Sequence, residues 1–192
     1  MSVDNVEAGR LAAAHLIARG HQRIAFATAS GRTMSRGEKI RGFMAAAQAA
    51  GLQASASVID ASAASEYGDS EMPDVGRLLA ARIAAERLPP TGIVAMNDML
   101  AFGLMAGLRE AGIAVPRDIS VIGIDGLFLS ALMSPSLATV RLPVPEMAAT
   151  IVERLIGRMA NAQLPPGEFL FNPALIEGES VAAPPKKGSV RR

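Results

Sequence analysis

The chain has 192 residues, half of them hydrophobic, which is enough for one domain with a sizeable core. Nineteen lysines and arginines stand against eighteen aspartates and glutamates, a formal charge of +1, so no global field draws the protein to nucleic acid or to an acidic membrane surface. The lack of cysteine removes disulfides and thiolate metal sites, and neither a basic and apolar leader nor a membrane-length apolar run is present, so the sequence reads as cytoplasmic with no membrane partner.

Residues 5–19 place Val6, Leu11, Ala14, Ile17 and Ala18 on one helical face, with Asp4 as N-cap and Gly20 as the stop. His15 and His21 lie six residues apart, which is not metal-pair spacing, and no carboxylate is placed to complete a site; structural roles are expected for both. Residues 24–28 read as the first strand, and a loop with glycines and hydroxyls leads to a helix over 38–50 that Gly51 ends. That loop has phosphate-binding ingredients but fits neither GxxxxGK[ST] nor GxGxxG, which argues against a nucleotide site. A strand at 58–60, a loop of small residues and a helix over 73–87, opened by Pro73, follow.

The most informative stretch runs from 91 to 126. Residues 93–96 form a short apolar strand that stops at Asn97-Asp98; a helix over 99–110 carries Leu100, Phe102, Leu104, Met105 and Leu108 on one broad side; and 119–124 is a second apolar strand ending at Asp125-Gly126. This is a βαβ unit of a parallel sheet with helices on both faces, and such sheets bind ligands at the carboxyl ends of their strands. Asn97, Asp98 and Asp125 therefore fall along one candidate edge, although the same residues can serve only as a helix cap and a turn. A short helix over 127–133, an extended segment over 137–142 and a long helix over 146–159 come next, the last with Met147, Ile151, Val152, Leu155 and Ile156 on one face. Short strands are expected at 169–171 and 174–176, and a disordered tail over 183–192.

The run Asn97-Asp-Met-Leu-Ala-Phe-Gly103, the run Ala111-Gly-Ile-Ala-Val-Pro-Arg-Asp-Ile-Ser-Val-Ile-Gly-Ile-Asp125 and the later Pro135-Ser-Leu-Ala-Thr-Val-Arg141 resemble the lac repressor (LacI/GalR) family of transcription regulators. The likeness extends from Asp4-Asn5 through His15 to Ile24 and Arg41-Gly-Phe43, to Leu175-Ile176 and Ser180. It implies a periplasmic binding protein-like effector domain, incomplete relative to the two-subdomain family fold: residues 3–141 and 172–181 correspond to the C-terminal subdomain, and 142–171 to a helix and strand of the otherwise missing N-terminal one. The DNA-binding head is expected to lie outside this chain, so that DNA is a partner only through a domain absent here.

The resemblance also implies effector-binding roles for Ser35 and Lys39, beside Asn97 and Asp125. Lysine at 39 replaces the arginine that such regulators carry, keeping the charge but losing the planar fork, so that Arg36 or Arg41 can be needed to compensate. Tyr67, the one tyrosine, can stack on a ligand or stand exposed without one; the sequence leaves both open. No enzyme is expected, because no nucleophile elbow, HExxH or phosphate loop is present, and no cofactor is called for. The function implied is sensing of a sugar or small metabolite by a transcriptional regulator; a sugar-binding protein of a transport system is the alternative. The apolar face of the 146–159 helix would lack its sheet in this chain, and it points to a fold-back or to a homodimer.

Overall fold

The computed structural model describes residues 2–30, 33–61, 71–161, 163, 165 and 167–185. Its elements are β1 (Ser2–Val3), α1 (Asn5–Ala18), β2 (Ile24–Thr28), α2 (Met34–Ala49), β3 (Ala56–Asp60), α3 (Met72–Ala84), β4 (Gly92–Ala95), α4 (Asp98–Glu110), β5 (Ser120–Asp125), β6 (Ala138–Arg141), α5 (Val144–Ala160), β7 (Leu170–Phe171) and β8 (Ala174–Ile176).

Every residue of β2 and β4 is buried, and so is β5 up to Asp125, because helices cover both sides of these strands. They belong to a six-stranded sheet in the order β3-β2-β4-β5-β6-β8, parallel except for β8, which runs antiparallel to β6 at the edge. Alternate strand residues face opposite layers. Phe26, Val94 and Ile122 pack under α1 and α2 with Leu16 and Phe43, while Ile93, Ala95 and Val121 pack under α3 and α4 with Leu79, Ile83, Leu100 and Leu104. Phe26 and Phe43 meet edge to face with ring centres 5.7 Å apart. The strand order reverses between β2 and β4, so a crevice opens at their carboxyl ends.

Helix α2 begins four residues earlier than the pattern suggested, because Thr33 caps it by accepting a hydrogen bond from the Arg36 amide at 3.3 Å. Gly37, read from the sequence as the end of a loop, is inside the helix. Both helix pairs approach so closely that only glycine fits at the crossing. A Cβ on Gly42 would run into the carbonyl oxygen of Val6, and one on Gly9 into that of Lys39; on the other face Gly103 meets Pro73 in the same way.

His21 has a structural place, and His15 is buried on α1. His21 lies between the Thr91 hydroxyl at 3.0 Å and the Ala182 carbonyl at 2.9 Å, and burial holds its pKa below the usual value, partly offset by that carbonyl. The segment after β8 is thereby fastened beneath the sheet, with Ser180 Oγ donating to the Val121 carbonyl at 2.6 Å and accepting from the Ala138 amide at 2.9 Å. Pro184 reaches Gly20, so the chain is in place slightly beyond the point at which a tail was expected; residues 186–192 fall outside the described part.

α5 forms as its periodicity requires, yet none of its residues is buried, and Leu155, Ile156 and Met159 are 60%, 60% and 80% exposed. The fold-back is thus not what this chain does. β1 and β7 pair in parallel, Ser2 with Leu170 and Val3 with Phe171, as a two-stranded ladder apart from the main sheet.

Gly42→Ala is expected to destabilise the protein by about 1–3 kcal/mol through overpacking. Gly37→Ala, on the same helix with nothing within 4 Å of its Cβ, should be neutral or should stabilise by about 0.5–1 kcal/mol. Chemical denaturation of both variants checks the contrast.

Candidate functional site

Three loops meet at the carboxyl ends of β2, β4 and β5. Lys39, on the second turn of α2, is only 8% exposed, and its Nζ donates to the Met96 carbonyl at 3.1 Å and lies 3.9 Å from Asp125 Oδ1. Burial lowers the pKa of its amine, and the charges of Asp125 and Asp98 oppose that shift. The Gly9 contact with the Lys39 carbonyl holds this turn of α2 against α1, which fixes where the ammonium can reach.

Asp125 ends β5 half-buried, with a φ of +150°, a region that L-residues rarely adopt. Residues held there cost about 1–3 kcal/mol and persist where surrounding structure imposes them. Asn97 is the N-cap of α4, its Oδ1 accepting from the Leu100 amide at 2.8 Å. Its oxygen is engaged by the helix, and its NH₂ group supplies two further donors. Asp98 is fully buried and accepts from the Thr139 hydroxyl at 2.6 Å, the Leu127 amide at 2.8 Å and the Ser130 hydroxyl at 2.9 Å. From sequence it read as a possible cap; Asn97 before it takes that role, and the Asp98 carboxylate instead joins α4 to the turn after β5 and to β6.

Arg36 pairs with Asp60 at 2.6 Å, at the carboxyl end of the neighbouring strand β3, whereas Arg41 is exposed and turned to Glu38 at 3.9 Å. Of the two arginines considered as compensating for Lys39, Arg36 is therefore the one at this edge. The structure brings Lys39 and Asp125 together, and places Asn97 next to the Met96 carbonyl that Lys39 reaches, with its side chain turned to the Leu100 amide. Ser35 is exposed and lines an adjoining cleft of about 580 Å³ with Val3, Asp4, Asn5, Glu38 and Leu170, between the start of α1 and the small ladder. Tyr67 lies outside the described residues.

Met96 was missed by sequence reasoning. Its carbonyl receives Lys39, and its sulfur accepts the Thr28 hydroxyl at 3.2 Å and the Ala29 amide at 3.4 Å, tying β4 to the end of β2. Nothing in an apolar strand-end residue announces that. Among the described residues no cluster of histidines and carboxylates could hold a metal ion, and no helix is long and apolar enough to cross a membrane.

A mostly parallel sheet with Lys39 and Asp125 at its strand ends defines an open α/β domain, the class in which ligands are held at the carboxyl ends of the strands. Residues 13–181 match the family described as periplasmic binding protein-like domain, and the chain belongs to it. Its relatives bear out the resemblance to LacI-type regulators. The HTH-type transcriptional regulator MalR of Streptomyces coelicolor is 33% identical over 189 residues, 98% of this chain and 54% of the relative. The HTH-type transcriptional regulator GalS of Salmonella typhimurium is 31% identical over 180 residues, 94% of this chain and 51% of the relative. A LacI family transcriptional regulator from Enterococcus faecium, solved with bound ribose, superimposes with a TM-score of 0.83 at 27% identity, over 94% of this chain and 64% of that one. The chain spans about half the length of the curated relatives it matches.

Asp125→Asn removes a carboxylate that raises the Lys39 pKa, so the Lys39 amine should titrate at still lower pH in the variant. NMR titration of the lysine Nζ resonance measures this; an unchanged midpoint would mean that the ammonium does not feel Asp125.

Proposed function

We propose that the chain is the effector-sensing part of a LacI-type transcriptional regulator, that it binds a sugar or similar small polar metabolite, and that it performs no catalysis. The observation that carries this reading is the buried Lys39 ammonium held between the Met96 carbonyl at 3.1 Å and Asp125 at 3.9 Å, at the carboxyl ends of β4 and β5. Lys39 is partnered by Asp125 and Arg36 by Asp60, so the edge offers paired charges rather than an excess of one sign. Paired donors and acceptors of this kind suit the hydroxyls of a neutral polyol. Ribose in the Enterococcus faecium regulator supports the same ligand class.

Residues 3–141 with 172–181 act as one subdomain and form one wall of the ligand cleft, while 142–171 serve the other subdomain. Contact with DNA, in the cytoplasm, belongs to a helix-turn-helix of the kind named in the relatives. Ligand closure over the wall would then shift the equilibrium between DNA-binding states. The uncovered face of α5 seeks a partner, because each Å² of apolar surface removed from water stabilises by about 25 cal/mol; in this chain a second copy supplies it.

A thermal-shift screen of sugars and nucleobases should yield a stabilising ligand. Asp125→Ala should weaken it by about 10- to 150-fold, the range for a hydrogen bond to a charged group. Equal binding by the variant would remove Asp125 from the site. Sedimentation at micromolar concentration should show dimers that Leu155→Glu disperses, and a purely monomeric wild type would exclude that partner.

A further inference from the structure

Asp98 is buried completely beneath the edge that carries Asp125, and the three hydrogen bonds it accepts reach two other parts of the fold. The Thr139 hydroxyl comes from β6; the Leu127 amide and the Ser130 hydroxyl come from the turn that follows β5. Thr139 Oγ1, while donating to Asp98, accepts the Gly126 amide at 3.2 Å. The two amides immediately after Asp125 are therefore both tied to one carboxylate, Leu127 directly and Gly126 through Thr139. On its own carbonyl Asp125 accepts the Leu142 amide at 3.1 Å.

Only an acceptor-only group can receive all three donors at once; an amide in its place must turn its NH₂ toward one of them. Gly123 makes the room, since a Cβ there would run into Asp98 Oδ1. The unusual φ of Asp125 falls at the centre of this arrangement. We propose that Asp98 is a positioning residue which, through Thr139 and the Leu127 amide, holds the Asp125 carboxylate toward Lys39. The ligand role of Asp125 comes from the function proposed above; the positioning itself is a property of the free protein.

The test uses the ligand-free chain. Thr139→Val leaves the charge of Asp98 in place but cuts the link to Gly126, and Thr139→Ser restores the hydroxyl. In Thr139→Val the Gly126 amide should exchange with solvent about tenfold faster or more, while the amides of Val94 and Ile122 keep wild-type protection. The Lys39 amine should also titrate lower in Thr139→Val, in the same direction as in Asp125→Asn, and Thr139→Ser should behave as wild type in both measurements. Asp98→Asn is the second variant, with faster exchange expected at Gly126 and Leu127. Wild-type exchange at Gly126 and wild-type Lys39 titration in Thr139→Val overturn the proposal, and so does loosening of all amides equally, which would make Asp98 a support of the fold alone. Because neither readout needs a ligand, a protein that passes both but binds no sugar or nucleobase contradicts the function proposed above and leaves the positioning role standing.

Discussion

An ammonium withdrawn from water costs on the order of several kcal/mol unless hydrogen bonds and opposite charge replace its hydration. Lys39 is in that position, with the Met96 carbonyl at 3.1 Å, Asp125 at 3.9 Å and the fully buried Asp98 opposing the fall in its pKa. Its stem can lie there because α2 crosses α1 at Gly9 and Gly42, where backbone meets backbone. Helix packing on one face of the sheet thus decides where the charge sits at its edge. The polar edge, in turn, is coherent only because parallel pairing brings the carboxyl ends of β2, β4 and β5 to the same side.

Two parts of the molecule stand in contrast. The central strands β2, β4 and β5 and the faces of α1 to α4 that pack on them form a buried core, with residues such as Leu16, Phe26 and Leu104 that have no exposure. α5 and the β1-β7 ladder present apolar side chains to solvent instead, including Leu155, Ile156 and Leu170. Arg154 lies over the Phe169 ring at 5.2 Å and donates to the Pro165 carbonyl at 2.8 Å, so Pro165 and Phe169 are tied back to α5. The same chain that completes its core in one half therefore carries an unfinished surface in the other, in keeping with relatives about twice its length.

Ser35 and Lys39 lie four residues apart on α2, yet they serve different places. Lys39 turns beneath the strand ends, while Ser35 lines the cleft beside Asp4, Glu38 and Leu170.

Much of this was readable from residue order. Apolar runs at 93–96 and 119–124, broken by Asn97-Asp98 and Asp125-Gly126, specify a parallel βαβ unit because strands buried on both faces can carry no polar alternation. Periodicity likewise located α1, α4 and α5, Gly51 and Pro73 marked α2 and α3, the position at a strand end brought out Asp125, and the family likeness pointed to Ser35 and Lys39. The start of α2 was misplaced because a glycine resembles a loop residue until a hydroxyl four positions earlier is seen to cap the helix. What remained for the tertiary structure was contact between distant segments. Asp98 meeting Thr139, Met96 receiving Lys39, and glycines opposed to carbonyls all join residues about 30 to 60 positions apart. Local propensity carries no trace of such pairings, since they exist only once burial has stacked the helices on the sheet and removed water from between them.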